Sequence, residues 1–177
     1  MGIKDSIVLK SKSIIVGAIV FSMVLHICFL ALGNTVFTDW RWNNIPFHSA
    51  IEVMGSAIAF FVAYMLVILD WNNRGTSFNI VIASALCCMG ILDLAHSIAS
   101  PGNLFVWLHS LATFIGGILF VCIWLPNSIL QRWKLKTLWG LALITLVISI
   151  ISFVWHEQVP AMLSQGNFSY VAILLNT

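Results

Sequence analysis

Charged residues are scarce in this chain of 177 amino acids. Lys, Arg, Asp and Glu together make up 8% of the sequence, whereas 60% of the residues are hydrophobic. Soluble globular domains carry about 25% charged residues, so a water-soluble fold is excluded. The formal net charge of +2 comes from a few scattered basic residues, which argues against a nucleic-acid partner. We therefore expect one all-α membrane domain over residues 1–177.

Cysteine is equally sparse and gives no structural framework. The four cysteines are Cys28, Cys87, Cys88 and Cys122, and all lie inside apolar stretches. Because no Cys-x-x-Cys pair occurs, neither disulfides nor a zinc ribbon is indicated. No proline interrupts the middle of an apolar stretch, which argues against the broken helices of a transporter.

Long hydrophobic runs dominate the sequence. A helix needs about 20 mostly apolar residues to cross the hydrocarbon layer of a bilayer. This length predicts a polytopic helical bundle with five complete spans, at residues 14–33, 47–69, 78–98, 104–125 and 138–155. A sixth apolar run covers 170–177 and is too short to cross, so we expect the natural chain to continue beyond Thr177. Ridges of small side chains predict close helix contacts, at Gly55, Ala59 and Ala63 on the second span and at Ala112 and Gly116 on the fourth.

Basic residues lie mostly on one side of these spans. Seven of them share that side, namely Lys4, Lys10, Lys12, Arg74, Arg132, Lys134 and Lys136, and only Arg41 lies on the other. The positive-inside rule then predicts a multi-pass protein whose N-terminus is cytoplasmic. The lipid bilayer is thus its first expected partner.

Six ionisable residues fall inside the predicted spans and share one depth. They are His26, His48, Glu52, Asp93, His96 and His109. With a rise of 1.5 Å per residue, all six lie about 2–10 Å from the outer surface of the hydrocarbon layer. Ionisable groups at such positions are costly and tend to mark function.

The spacing of these residues favours a metal site. His48 and Glu52 are four apart and Asp93 and His96 are three apart, so each pair shares a helix face. His96 and His109 flank the Pro101-Gly102 turn. Imidazoles and carboxylates that converge from neighbouring helices are typical ligands of zinc, copper or iron. We predict His48, Glu52, Asp93, His96 and His109 as ligands, with His26 as an additional one and Ser49, Ser97 and Ser110 lining the site.

Other interpretations of the same residues remain open. Each histidine could simply form an interhelical hydrogen bond. The cluster could also sense protons or a small ligand without a metal, since imidazole titrates near pH 6.5. A haem held by two of His26, His48, His96 and His109 is a further alternative, although a haem pocket does not need the carboxylates.

Two motifs resemble a known family. Pro46-Phe-His-Ser-Ala-Ile-Glu52 and Ile91-Leu-Asp-Leu-Ala-His-Ser97 are similar to the FH…E and LD…H signatures of MASE3-like membrane-associated sensor domains, and the resemblance covers roughly residues 46–126. Such domains are the N-terminal input regions of bacterial signalling proteins. The resemblance implies a bacterial inner membrane location, a homodimer, and a cytoplasmic module in the same chain, such as a histidine kinase of a two-component system or a diguanylate cyclase.

The expected function is therefore sensory input through a metal ion or metal cofactor. Ligand binding would shift the helices and pass a signal to the output module. The alternative from another class is an intramembrane zinc hydrolase acting on a lipid amide, which needs three protein ligands, an open coordination position and access from lipid.

Overall fold

The structure, a computed structural model, describes residues 16–17, 20–29, 31–32, 35–36, 44–72, 75–76, 78–164 and 167–176. The chain forms two compact units, Met1–Asn43 and Asn44–Thr177. In the first unit, the described residues include an apolar helical stretch, α1, over Val20–Phe29. The ends of the predicted span at 14–33 lie partly outside the described residues.

Four long helices form most of the second unit. They are α2 (Ile45–Trp71), α3 (Asn79–Ile98), α4 (Asn103–Val121) and α6 (Leu135–Val154), with the short α5 (Asn127–Leu130) and α7 (Tyr170–Asn176). Two 3-10 turns, Cys122–Trp124 and His156–Gln158, and two short antiparallel strands, β1 (Leu163–Ser164) and β2 (Asn167–Phe168), complete the unit. The mostly helical architecture is confirmed. Within the described residues, four helices are long and apolar enough to cross a membrane, so the predicted five complete spans are confirmed only in part.

Local sequence signals fix where these helices begin. The Asn44 side chain caps α2 by accepting a hydrogen bond from the Phe47 amide at 3.1 Å, and Pro46 lies in the first turn. α6 begins at Leu135, three residues before the predicted span, because Lys136 can continue a helix although it lowers the hydropathy there. α7 begins at Tyr170, where the last apolar run was predicted to start.

α3 is the central helix of the second unit and packs against α2, α4 and α6. Its buried side chains are mostly small, including Ala83, Ser84, Ala85 and Cys88. Small side chains let helix backbones approach closely, which matters in a bilayer because lipid gives little hydrophobic drive for helix association. The other long helices expose many large apolar side chains, as lipid-facing helices do.

Two glycines lie where neighbouring helices approach each other closely. A Cβ at Gly90 on α3 would lie 3.0 Å from the Phe60 ring of α2, and a Cβ at Gly116 on α4 would overlap Met89 of α3. Among the residues of the two predicted small-residue ridges, Ala63, Ala112 and Gly116 are buried. Gly55 faces open space within the described residues, so the second-helix ridge extends less far than expected.

The segment after α6 folds back onto the start of α4. The Asn103 side chain accepts hydrogen bonds from the amides of Met162 and Leu163, at 3.2 and 3.1 Å. Further along, the side-chain amide nitrogen Nδ2 of Asn176 donates to the Ser110 hydroxyl at 2.8 Å, which joins α7 to α4. These bonds place the hairpin and α7 beside the same end of the bundle where α4 begins.

A leucine at Gly116 should destabilise the bundle more than a leucine at the adjacent Gly117. Both changes remove a helix glycine, but a Cβ at Gly117 meets nothing within 4 Å, whereas a Cβ at Gly116 overlaps Met89. Overpacking of this kind costs about 1–3 kcal/mol. Thermal unfolding of the two variants in the same detergent measures the difference. Equal melting temperatures would show that α3 and α4 are not closely packed at this position.

Candidate metal centre

Two helices supply three potential metal ligands at one end of the bundle. His48 and Glu52 lie one turn apart near the start of α2, and His96 lies in the last turn of α3. The Asn44 cap and Pro46 fix the first turn of α2 two residues before His48. α2 and α3 are consecutive helices that run in opposite directions, so the start of α2 lies beside the end of α3.

The donor atoms of this group lie close together. The two Nε2 atoms of His48 and His96 are 3.2 Å apart, and Nε2 of His48 lies 3.8 Å from Oε1 of Glu52. All three donor atoms lie within 4.8 Å of one another. We call His48, Glu52 and His96 the His-His-Glu group. Within the described part of the chain, it is the one set of three or more His, Cys, Asp or Glu side chains placed this way.

A backbone carbonyl orients His96. Nδ1 of His96 donates a hydrogen bond to the carbonyl oxygen of Phe105, at 2.8 Å, because a carbonyl can only accept. With its proton on Nδ1, a neutral imidazole presents an unprotonated Nε2 to His48. Metal-binding histidines usually donate their second ring nitrogen in this way, and the bond fixes both the tautomer and the ring orientation.

The aromatic ring of Phe105 packs against both histidines. Its centroid lies 3.8 Å from that of His96 and 5.3 Å from that of His48. The two imidazoles meet edge to face, with an interplanar angle of 74°. Phe105 therefore limits the rotation of both rings through its side chain while its carbonyl holds one of them.

Burial divides the group into a closed and an open side. His96 is only 1% exposed, whereas the side chains of His48 and Glu52 are 46% and 21% exposed. A ligand can thus reach the group from the α2 side. The buried imidazole of His96 is the ligand whose position the protein fixes.

The geometry fits a metal ion with small adjustments. Two nitrogens bound to one tetrahedral zinc ion at 2.0–2.1 Å lie about 3.3–3.4 Å apart, close to the observed His48–His96 distance. The carboxylate of Glu52 would have to approach His48 by about half an ångström and also move toward His96, since the donor atoms lie up to 4.8 Å apart; a side-chain rotation of Glu52 moves its carboxylate. Two imidazoles and one carboxylate form a donor set that zinc, copper and iron accept. A tetrahedral ion held by these three side chains would have a fourth position available for water or another ligand.

Asp93 and His109 lie beside this group but outside it. The His109 ring centroid is 5.2 Å from that of His96, and His109 is exposed. Asp93 is half-buried, one turn before His96, and interacts electrostatically with both Glu52 and His109. The structure therefore brings three of the five predicted principal ligands together and places the other two at the edge of the site.

The remaining predicted residues occupy different positions. His26 is exposed on α1 in the first unit. The Ser97 hydroxyl donates to the backbone carbonyl of Leu94 at 2.7 Å, and Ser110 is bonded to Asn176, so neither hydroxyl's observed hydrogen bond is to the His-His-Glu group. Ser49 is half-buried next to His48.

The sequence reasoning assigned no role to the carbonyl of Phe105. It could not do so because a backbone acceptor has no residue-type signature. One feature of the sequence could have indicated this contact. The short Ser100-Pro101-Gly102 turn places residue 105 opposite the end of α3. Gly102 has φ +153°, a conformation that favours glycine, and it allows α4 to fold back directly.

Nitrogen-15 NMR of histidine-labelled protein in detergent should show His96 as the Nδ1-protonated tautomer at neutral pH. The reason is the hydrogen bond to the Phe105 carbonyl, which an Nε2-protonated ring could not donate. The spectrum of His96→Gln identifies the signal by its loss, and the exposed His109 serves as the comparison. A dominant Nε2-protonated form of His96 would contradict the geometry.

We compared the chain with protein-family models, curated proteins and solved structures. None of the three comparisons gives a match. The His-His-Glu group and the four long apolar helices are therefore the observations from which a function can be argued.

Proposed function

We propose that this chain is the membrane-embedded input domain of a sensor and that it binds a metal ion through His48, Glu52 and His96. The observation that carries the proposal is the His-His-Glu group, in which two imidazole nitrogens lie 3.2 Å apart and one imidazole has its tautomer set by a backbone carbonyl. Such preorganisation lowers the cost of bringing ligands together when a metal binds.

The position of the group supports a signalling role. Its ligands come from α2 and α3, and its buried histidine is hydrogen-bonded to α4, so a bound metal would couple three helices. A metal that prefers one arrangement of these helices would shift the population toward it. α4 contacts α7, and this contact offers a route from the site toward a following segment.

The resemblance to MASE3-like sensor domains gives this role its wider context. It supports a dimeric protein of the bacterial inner membrane whose cytoplasmic output module, a histidine kinase or a diguanylate cyclase, lies in the same chain. The four apolar helices are consistent with the membrane location.

The orientation follows from charge. Arg132 and Lys134 lie between α4 and α6, and Lys136 lies in the first turn of α6, at the opposite end of the bundle from His96. Basic residues favour the cytoplasmic side. The His-His-Glu group would then face the extracytoplasmic side, where it can sample external metal ions.

A second candidate function is proton sensing without a metal. The distance of 3.2 Å between the two Nε2 atoms also suits a hydrogen bond in which His48 donates to His96. Acid would protonate both imidazoles, and the two like charges would then repel each other. The half-exposed His48 would be the ring that moves away.

Metal binding tests the proposed function directly. Purified protein titrated with Zn²⁺, Cu²⁺ or Fe²⁺ in calorimetry should bind one ion per chain. The variants His48→Ala, Glu52→Gln and His96→Ala should each weaken binding by at least about 10–100-fold, the loss known even for partners outside the ligand set. Affinity should also fall on acidification, because a protonated imidazole cannot ligate a metal.

Two histidine variants serve as controls. His156→Ala, in an exposed turn, should leave the affinity unchanged. His109→Ala should retain most of it, since His109 lies outside the His-His-Glu group. Wild-type protein that binds none of the three ions, but whose helix packing responds to pH, would refute the metal proposal and favour the proton sensor.

Reporter fusions test the orientation. Alkaline phosphatase fused after Gln158 should be active, because the enzyme folds only outside the cytoplasm. The same reporter fused after Gln131 should be inactive, whereas green fluorescent protein at that position should fluoresce. The reverse pattern would place the His-His-Glu group on the cytoplasmic side.

A further inference from the structure

An apolar groove opens on the surface of the bundle, and no residue of the His-His-Glu group lines it. It lies between α2, α3 and α6 and has a volume of about 540 Å³. Phe60, Ala63, Leu138, Ala142 and Leu143 are among the apolar residues that line it. A groove this long and apolar suits a hydrocarbon chain.

The groove continues toward the basic end of the bundle. Val67 and Leu135 line both this groove and an adjoining cavity of about 230 Å³. Asp70 and Ile80 line that cavity and also a third one, of about 280 Å³. The three spaces therefore lie next to one another, from the middle of α6 to its start, and we refer to them together as the path.

The character of the path changes from apolar to polar along its length. The third cavity is lined by Asp70, Thr76, Gln131 and Lys134, with Trp133 at its side. Lys134 and Gln131 can donate hydrogen bonds to a phosphate, and Asp70 can accept them from hydroxyl groups. Arg132 and Lys136 are exposed next to this cavity in sequence, so the local charge is positive.

We propose that this path binds an anionic glycerophospholipid, with an acyl chain in the groove and the headgroup phosphate at Lys134. The order of the surfaces matches such a molecule, because the apolar part is continuous with a cavity that offers one cation, one amide and one carboxylate. An apolar helix packed into the groove would make no polar contacts with the cation, amide and carboxylate at that end. The carboxylate of Asp70 favours a headgroup with hydroxyl groups, as in phosphatidylglycerol. The proposal rests on the membrane location but not on the metal site.

Native mass spectrometry of the detergent-solubilised protein can test the site. Titration with phosphatidylglycerol and with phosphatidylcholine of the same acyl chains should show tighter binding of phosphatidylglycerol. Lys134→Gln should weaken it by about fivefold, the contribution of one lysine near an anionic lipid surface. Arg132→Gln is the matched control and should weaken binding less than Lys134→Gln, since Arg132 adds to the local positive charge but does not line the cavity.

A second pair of variants tests the groove. Leu143 lines it and Ile144 does not, although the two are 62% and 58% exposed. Leu143→Trp should block the groove and reduce lipid binding, whereas Ile144→Trp should not. Any one of three results would overturn the proposal. They are equal effects of the two variants in either pair, equal binding of phosphatidylglycerol and phosphatidylcholine, and competition by inorganic phosphate alone. Because both tryptophan variants place the same bulk on adjacent exposed positions, a general folding defect would affect them alike.

Discussion

The imidazole of His96 is fixed by one hydrogen bond across the turn between α3 and α4. Its Nδ1 proton is donated to the Phe105 carbonyl, and the ring is buried against the Phe105 side chain. This bond requires α4 to fold back tightly after α3, which the turn at Gly102 permits. The position and tautomer of the buried imidazole, and thus the shape of the His-His-Glu group, depend on this interaction.

The group joins a mostly buried helix to a mostly exposed one. In the most apolar window of each helix, 56% of the residues of α3 are buried, against 11% of those of α2. His96 therefore lies on the central helix, whereas His48 and Glu52 lie on a helix that packs closely against α3 but exposes most of its other side chains. A ligand that bridges them would join α2 to the buried core of the bundle.

The two ends of the bundle have different chemistry. One end gathers imidazole and carboxylate groups, and the other combines basic and aromatic side chains with an apolar groove. The small residues of α3 make both possible, since they bring α2, α4 and α6 close enough to form the site and the walls of the groove. The central helix α3 thus contributes both to the His-His-Glu group and to the walls of the groove.

Composition and periodicity alone determined the helical architecture, because spanning helices need long apolar runs that few other folds contain. They also placed His48, Glu52 and His96 at one end of the bundle, since helix rise converts sequence position into depth. Depth does not specify rotation about the helix axis or the packing of neighbouring helices. Only the tertiary structure decided that these three side chains converge while Asp93 and His109 lie at the edge, and that a backbone carbonyl orients His96.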